Sequence, residues 1–471
     1  MRLFALIPWL ATSVGCVIVV KDTATTPGET GPSTNETGAP TETGDTNTGD
    51  PDGDGDGFPA SEDCDDGNPS VYPGAPPVCG VSDANCDLAD DGQIHVPSAA
   101  PTLEEALATA PPGGRICIES GTHLTNAVAG KGVDVTIDAV EPGAAILDGA
   151  GGRALTLTED AVVRVEDLVL TGGGVMAEEA DLSLTRVSWS ALECIGSNGS
   201  CDGAAVWTAE TTLTMTDVTI NGANVVGAKL GGLLHLDDGD LFIDGLTVEG
   251  GTIASDSGTL QGGVLWTTSA ALTASFVRVA GVAVDGPGVN GGAAYLFATD
   301  ATLSHWVVAG TMATAEDEVN GTAISMSASS SAVAIAHSTF TGNSAAANTC
   351  RGGGLYGVTV AVTVNDVIFS DHIADCSVIS GTAIYSTGDD PVVTYSDFWN
   401  NVGAEEFDGF PDPLGAGGNL AVEPGFVDVA TWDLHLGAKS PLVDAGDPAI
   451  LDDDGTASDI GAYGGPGGSS W

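Results

Sequence analysis

Apolar residues in the middle of the chain recur in an eight-residue pattern, apolar-x-apolar-x-x-apolar-x-apolar. Clear copies begin at Val163, Leu182, Leu213, Leu241, Leu272, Val333 and Val362, and degenerate copies begin at Leu303 and Val393. Successive copies start 19, 31, 28, 31, 31, 30, 29 and 31 residues apart. A period of this length is typical of a solenoid, in which each repeat stacks on the next one.

Each copy alternates as two short strands would, but the alternation slips by one residue at a polar corner, such as Asp244-Gly245 or Asn365-Asp366. The slip lets the chain bend while both strands still point their apolar residues inward. A third strand precedes each copy, and a glycine usually introduces it. The pattern therefore predicts an all-β fold, a right-handed parallel β-helix of about nine or ten coils that is roughly 45 Å long.

The two ends of such a stack need caps, because an open coil exposes the apolar core and unpaired strand edges. Within residues 92–123, a Thr cap at position 102 and an amphipathic stretch to Ala110 predict a short capping helix. The coils are expected over residues 124–420, and residues 421–471 are expected to close the far end.

Three carboxylates in this closing segment, Asp452, Asp454 and Asp459, lie close together in sequence. We interpret them as part of a hydrogen-bonded cap, and a second cation site is the alternative.

The formal net charge of −54 narrows the range of partners that the chain can bind. Such an acidic chain is unsuited to nucleic acid and to anionic lipid, whose protein partners are basic. The general interpretation is a secreted protein that its carboxylates keep soluble, while particular acidic clusters are candidates for binding divalent cations.

The first residues predict export from the cytoplasm. Arg2, an apolar run and then Ser13-Val14-Gly15-Cys16 resemble a bacterial lipoprotein signal peptide over residues 1–16, which implies acylation of Cys16. Leu3 to Val20 also just reaches the length of an uncleaved membrane span, and plain secretion is a further alternative. Residues 17–51 are poor in apolar side chains and predict a disordered linker. We expect a lipid-anchored protein of the outer membrane or cell surface, or otherwise a secreted one.

Residues 52–91 form an acidic module with a calcium-loop spacing. Asp52, Asp54 and Asp56 supply carboxylates at loop places one, three and five, Phe58 offers its carbonyl oxygen, and Asp63 closes the set. Hard cations prefer oxygen ligands, so the expected cofactor is structural calcium. The alternative is an acidic, solvated turn.

The stretch "DGDGDGFPASEDCDDGNPSVYPGAPPVC", followed by "DANCD", resembles the metal-binding repeat of MopE-type bacterial surface proteins and thrombospondin type-3 calcium repeats. We carry over calcium and not copper, since no Met or His ligand set accompanies the motif. The segments "VPSAAPTLEEALATAPPGGRICIESGTH" and "EPGFVDVATWDLHLGAKSPLVDAGDP" resemble the opening and closing segments of pectin-lyase-like β-helix proteins. This second resemblance implies the same fold as the repeat does.

Nine cysteines become eight when Cys16 is acylated, and an even number suits disulfides in an oxidising compartment. Spacing predicts two local disulfides, Cys194 with Cys201 and Cys350 with Cys376. The remaining four pair among themselves in an order that the sequence leaves open, and they are Cys64, Cys79, Cys86 and Cys117.

Catalytic signatures of β-helix enzymes are weak in this chain. Polysaccharide lyases need a basic residue beside a calcium-carboxylate cluster, and glycosidases need paired carboxylates. None of the basic residues between 160 and 400 belongs to a recognisable lyase motif; they are Arg164, Arg186, Lys229, Arg278 and Arg351. His235 with Asp237, Asp238 and Asp240 is the densest polar cluster, and we interpret it as a solvated turn.

One column of residues predicts ligand contact. In seven coils the residue after the inward aliphatic of the first strand is Trp207, His235, Trp266, Tyr295, Ser325, Tyr356 and Tyr385. Strand alternation places these residues on the outer face, stacked coil upon coil. An exposed aromatic ladder suits stacking on sugar rings, so Trp207, Trp266, Tyr295, Tyr356 and Tyr385 are candidate glycan-binding residues. The alternative is that loops cover the rings, or that the rings only stabilise the sheet.

The sequence thus predicts a monomeric cell-surface lipoprotein whose β-helix serves binding, adhesion or surface structure, with a surface or extracellular glycan as the candidate partner. A polysaccharide lyase or glycoside hydrolase on the same scaffold is the alternative, because one fold hosts many functions.

Overall fold

The computed structural model describes residues 51–88, 91–197, 199–328, 330–403 and 405–471. The expected signal peptide, Cys16 and nearly all of the expected linker lie outside these residues. The chain from Asp52 to Trp471 forms one compact unit. Within the described residues no helix combines the length and apolarity that a membrane span requires.

The chain forms the expected right-handed parallel β-helix, with about nine turns of about 29 residues. Three main sheets run along it. The strands of the first sheet are Ala127–Ala129, Leu155–Thr158, Val175–Glu178, Val206–Ala209, the starts of Leu234–Ala254 and Leu265–Ala280, Ala294–Phe297, Ile324–Ser327, Leu355–Val358, Ile384–Thr387 and Phe407–Asp408. The second sheet contains the whole strands Ile94–Val96, Gly114–Ile118, Asp134–Ala139, Val162–Glu166, Asp181–Thr185 and Val392–Thr394. It also contains the first halves of Thr212–Val226, Asp300–Ala309, Ala332–Thr341 and Ala361–Ser370, and the middle parts of Leu234–Ala254 and Leu265–Ala280. The third sheet contains Gly121–Leu124, Ala145–Asp148, Val169–Thr171, Ser188–Ser190, the continuations of the strands that bend out of the second sheet, and Asp397–Trp399.

The core is the stack of inward residues that the pattern predicted. In the first sheet the inward column is fully or almost fully buried, and it consists of Val206, Leu234, Leu265, Ala294, Ile324, Leu355 and Ile384. Large rings fill the coil interior further along, where Phe369 stacks between Phe340 and Phe398 with centroid separations of 5.4 and 5.1 Å. Burial of this continuous apolar column is the main stabilising term of a solenoid.

The predicted slip at the polar corner is a single residue in the left-handed conformation between the second and third sheets. Gly245 has φ 87° and Asp366 has φ 56°, and non-glycine residues such as Arg186 (φ 51°) occupy the same corner in other coils. One left-handed residue reverses the alternation, so the apolar side chains of both flanking strands point inward.

The starting points of the two degenerate copies were wrong by two residues. The register pairs Leu272 with Ala301 and Ala274 with Leu303, so that copy begins at Ala301. Val393 likewise pairs with Val364, which moves the last start to Pro391. Ala301 and Pro391 are not large apolar residues, so the sequence pattern did not identify them as the inward positions that begin these copies.

The coils also contain more strands than the three that the pattern predicted. From coil to coil a fourth and a fifth row run between the third sheet and the next first-sheet strand. These rows comprise Glu193–Ile195, the end parts of Thr212–Val226 and Leu234–Ala254, Thr259–Gln261, Ala283–Gly286, Gly288–Asn290, Met312–Ala315, Glu318–Asn320, Ser344–Arg351 and Ile373–Ser380. Glycines within these stretches obscure their alternation in the sequence.

At the N-terminal end, the helix Leu103–Thr109 packs Leu103, Ala106 and Leu107 into the core, and the Thr102 hydroxyl accepts a hydrogen bond from the backbone N–H of Glu105. The acidic module is joined to the β-helix by the disulfide between Cys79 and Cys117. A second disulfide, Cys64–Cys86, lies within the module, and the two local pairs expected from spacing, Cys194–Cys201 and Cys350–Cys376, are also disulfides.

Residues 421–471 lie along the side of the β-helix, whereas Phe407, Phe410 and Leu414 pack against the far end of the core. The lateral segment contains the antiparallel pair Phe426–Asp428 and Asp433–Leu436 and the 3₁₀ turns Val429–Thr431 and Gly468–Ser470. Its apolar residues cover outward positions of the third sheet, so Leu434 and Ala462 cluster with Val307 and Ala309.

Candidate functional site

The expected calcium loop brings three carboxylates together. Oxygen atoms of Asp52, Asp54 and Asp56 lie within 4.8 Å of one another. Gly55 and Gly57 have φ 86° and 102°, and their backbone N–H groups donate to the two oxygens of Asp52 at 2.7 and 3.0 Å. The local turn therefore holds the carboxylates in a tight group, which is favourable only when a cation or protons offset their repulsion.

Several oxygen atoms of this loop are buried without a hydrogen-bond partner. They are Oδ2 of Asp54, Asp56 and Asp63, and the Asp63 residue is only 8% exposed. Burial, together with the charges of Asp56, Asp63 and Asp52, raises the pKa of Asp54. A buried, unpartnered carboxylate oxygen costs free energy in the absence of a ligand, so the atoms of Asp54 and Asp56 fit the coordination shell of a hard divalent cation. Asp63, the expected last ligand, is not part of the group of three and lies with Cys64 and Cys86.

The C-terminal aspartates have hydrogen-bond partners of their own. Asp452 accepts from the backbone N–H groups of Gly465 and Asp459, Asp454 accepts from Thr456, and Asp459 accepts from the N–H of Asp444. These hydrogen bonds agree with a structural role for the three aspartates, but the segment that they hold together lies along the side of the β-helix and does not cap its end.

The aromatic column of the first sheet is aligned as the strand register requires. Trp207 pairs with His235, His235 with Trp266, and Trp266 with Tyr295, and the column continues through Ser325, Tyr356 and Tyr385. Trp207 and His235 stack at 5.5 Å, and Tyr356 and Tyr385 stack at 5.3 Å with an interplanar angle of 7°.

The expected exposure of this column is found only in part. Trp266 and Tyr295 are 7% and 8% exposed, whereas Trp207, Tyr356 and Tyr385 are half-buried. Ring-on-ring stacking covers faces and leaves mainly edges and hydroxyls at the surface. Trp266 and Tyr295 are therefore poor candidates for stacking on a sugar, and the accessible positions are Trp207 and the Tyr356–Tyr385 pair.

Over seven coils the same face carries little charge, and Glu178 and Asp408 continue its two columns in the flanking coils. Its second outward column consists of Ala209, Asp237, Thr268, Phe297, Ser327, Val358 and Thr387, in which Asp237 is the one carboxylate. Burial lowers the pKa of His235 and raises the pKa of the Tyr295 and Tyr356 phenols, so it favours the uncharged form of each group. The face thus offers aromatic edges and hydroxyl groups in a chain with a net charge of −54.

A row of polar residues that the sequence analysis missed runs just ahead of this face. Gln261, Asn290, Asn320 and Arg351 are register partners in the fifth strand row. Asn320 donates to Asn290 at 2.9 Å, and Arg351 donates to Asn320 at 3.1 Å and to Glu318 at 3.0 Å. Successive members of this row are about 30 residues apart, and that spacing could have identified them. Glycines next to these residues obscured the alternation that would have predicted the strands of the fifth row.

The arginines that lyase chemistry would need are engaged elsewhere. Arg164 pairs with Asp134 at 2.9 Å, and Arg186 pairs with Asp167 at 2.7 Å through both oxygens. Arg278 donates to Glu249 and to the Trp432 carbonyl oxygen. A guanidinium group in such a pair is held as a structural cation and is not positioned as a general base.

An open acidic groove lies at the turn from the first to the second sheet. Its carboxylates are those of Asp160, Glu179, Asp181, Glu210, Asp238 and Asp240. Glu179, Glu210 and Asp238 occupy one left-handed position in successive coils, with φ between 47° and 51°. His235 does not converge with these groups, since it lies in the first-sheet column and its Nδ1 is 3.2 Å from the Leu230 carbonyl oxygen.

No protein-family model and no curated protein matches this sequence. A comparison with solved structures finds the crystal structure of pectate lyase Pel9A, with a TM-score of 0.34 and 13% sequence identity. The match covers 76% of this chain and 89% of the Pel9A chain.

Proposed function

We propose that this protein is a cell-surface lipoprotein whose β-helix binds an uncharged glycan through the outer face of the first sheet. The observation that carries the proposal is the composition of that face over seven coils, where most side chains of the two outward columns are aromatic or carry a hydroxyl group and Asp237 is the single carboxylate. Sugar rings bind proteins through apolar ring faces and hydroxyl hydrogen bonds, and both kinds of contact are available there. The net charge of −54 favours a neutral glycan over a polyuronate, because like charges repel.

Retention of the purified, delipidated protein on a panel of immobilised neutral and acidic polysaccharides tests this proposal. We expect retention on at least one neutral polysaccharide, and we expect Trp207→Ala and Tyr356→Ala to reduce it by about tenfold each, since a ring contact contributes on the order of 1 kcal/mol. Phe242→Ala is the matched control, because Phe242 is exposed on the second sheet. Equal retention of all three variants would contradict the proposed face.

We also propose that the loop from Asp52 to Asp63 binds calcium and stabilises the acidic module. Support comes from the three carboxylates within 4.8 Å and from the buried, unpartnered oxygen of Asp63. Calcium would supply the positive charge that offsets their repulsion, with the Phe58 carbonyl oxygen as a further ligand. Calorimetric titration of the calcium-free protein should give saturable binding, and Asp54→Asn should weaken it, whereas absence of any heat or stabilisation on calcium addition would refute the site.

A glycosidase is the second candidate, and the acidic groove favours it. Burial and the charge of Asp238 raise the pKa of Asp237, which lies beside the carboxylates of the groove. Glycoside hydrolysis uses two carboxyl groups, and the one that acts as general acid has a raised pKa. New reducing ends after incubation with the polysaccharide panel would support this candidate, and new ultraviolet absorbance would indicate a lyase.

A further inference from the structure

The corner between the second and third sheets carries a column of outward side chains, one from each coil. In order along the β-helix the corner positions are Asp167, Arg186, Asp217, Gly245, Phe276, His305, His337, Asp366 and Tyr395, all with positive φ. Gly245 has no side chain, so the column is interrupted between Asp217 and Phe276. Since adjacent coils are about 4.8 Å apart, the two flanking backbone positions are separated by about 10 Å.

Aromatic rings form one side of this gap. Phe276 stacks on His305 of the following coil, with ring centroids 4.7 Å apart and an interplanar angle of 19°. That contact covers one face of the Phe276 ring, and the opposite face is directed toward the level of Gly245. Trp471 stands at 65° to Phe276 with a centroid distance of 5.8 Å, and its own ring is held by a stack on Tyr463 at 5.4 Å.

Carboxylates and hydroxyl groups form the other side. The cavity has a volume of about 350 Å³, and the polar groups lining it include Asp217, Asp244, Thr219 and Thr247. The Asp217 carboxylate projects into the gap, because a Cβ atom built on Gly245 would lie 2.8 Å from its Oδ1. None of the residues lining the cavity is basic, so the negative charge of the two aspartates is not neutralised within the cavity.

The protein fills an equivalent place in the same column with one of its own side chains. Arg186 follows Asp167 by one coil, and its Nε and one terminal nitrogen donate to both oxygens of Asp167 at 2.7 Å. Asp217 lies between Arg186 and Gly245 in the column. The Arg186 guanidinium group donates to Asp167 on its other side, and Gly245 supplies no side chain to pair with the Asp217 carboxylate.

We propose that this gap binds a guanidinium group, stacked on the free face of Phe276 and paired with the Asp217 carboxylate. A planar, delocalised cation satisfies both walls, because it stacks on an aromatic face and donates two parallel hydrogen bonds to a carboxylate. The guanidinium group belongs either to a small cation or to an arginine side chain of a partner protein. This site is on a different face from the proposed glycan contact and does not depend on it.

Ligand-observed NMR titrations of the calcium-loaded protein at low ionic strength test the site. The probes are ethylguanidinium, ethylammonium and a blocked peptide with one central arginine. We expect saturable binding of ethylguanidinium that Asp217→Asn and Phe276→Leu each weaken by about tenfold, and weaker binding of ethylammonium, which cannot stack as a plane. Asp375→Asn and Phe242→Leu are matched controls with exposed side chains that do not line the cavity, Phe242 standing on the second sheet, and they should bind as the wild type does.

The titrations distinguish the two possible sources of the guanidinium group, a small cation and an arginine of a partner protein. Binding of ethylguanidinium without binding of the peptide supports a small cation, and equal or tighter binding of the peptide supports an arginine of a partner. Equal affinities of all four variants, or ethylammonium binding as tight as ethylguanidinium, would overturn the proposal. Melting temperatures of the variants establish that they are folded, and Gly245→Ala, whose methyl group would displace the Asp217 carboxylate, should weaken binding by a second route.

Discussion

Replacing Gly310 by alanine should detach the lateral C-terminal segment from the third sheet. Gly310 follows a third-sheet strand with φ 60°, and the indole ring of Trp432 lies against it. A Cβ atom at Gly310 would overlap Cζ2 of that ring and lie within 2.5 Å of Cη2. Since the ring cannot stay in place, the cluster that Trp432 shares with Leu434 should loosen.

Gly281 provides a matched control for the size of this effect. It occupies the same position one coil earlier, with φ 64°, and a Cβ atom there would have no neighbour within 4 Å. Alanine at either position is held in the left-handed region, at a cost of about 1–2 kcal/mol. Overpacking against Trp432 adds about 1–3 kcal/mol at Gly310 alone. We therefore expect losses of about 1–2 kcal/mol for Gly281→Ala and about 2–5 kcal/mol for Gly310→Ala.

Urea denaturation followed by tryptophan fluorescence measures the two losses, and hydrogen exchange locates them. Faster exchange over residues 421–471 in Gly310→Ala, with unchanged exchange in Gly281→Ala, is the expected result. If both variants lose the same stability and the lateral segment stays protected in both, then the Trp432 contact does not hold the segment.

Three other perturbations test separate parts of the structure. Chelation of calcium should lower the melting temperature of the wild type and leave Asp54→Asn unchanged, because ligand binding stabilises the folded state that holds the site. The disulfide variant Cys79→Ser/Cys117→Ser should lose protection over residues 52–88 in hydrogen exchange, while the coils stay protected. Burial raises the pKa of Asp397 from 3.8 to about 7, so the folded state binds this proton more tightly and stability should fall, by at most about 1.4 kcal/mol per pH unit, as pH rises from 4 to 7. Urea denaturation at several pH values should show that Asp397→Asn removes this component, and an unchanged slope would contradict the assignment.

Features that depend on neighbouring residues in sequence were predicted well. The inward column from Val206 to Ile384 follows from strand alternation, and the corner at Asn365-Asp366 follows from a local reversal of that alternation. The carboxylates of Asp52, Asp54 and Asp56 are equally local, and their oxygens lie within 4.8 Å of one another, while calcium binding there stays a prediction. In each case the geometry depends on residues within one turn of the chain, so the spacing of those residues is enough to predict it.

Features that depend on distant residues were not predicted. The sequence does not reveal that Trp432 lies on Gly310, because the 121 residues between them do not indicate which face the lateral segment covers. The burial of Trp266 likewise depends on its neighbours in the adjacent coils, so alignment of the aromatic column could be predicted while its exposure could not. The gap at Gly245 was hidden for a related reason, since a missing side chain becomes a site only when Phe276 and Trp471 are placed around it.

The uncharged face of the first sheet is not a requirement of the fold. In the acidic groove Glu179, Glu210 and Asp238 stack at one position of successive coils, all exposed and about 4.8 Å apart along the β-helix. The coil stack therefore tolerates a carboxylate in every turn, even though like charges at that distance repel. The outward columns of the first sheet carry Glu178 and Asp408 in the coils that flank the face, but only Asp237 over the seven coils between them. Contact of these seven coils with an uncharged partner accounts for that local scarcity of carboxylates.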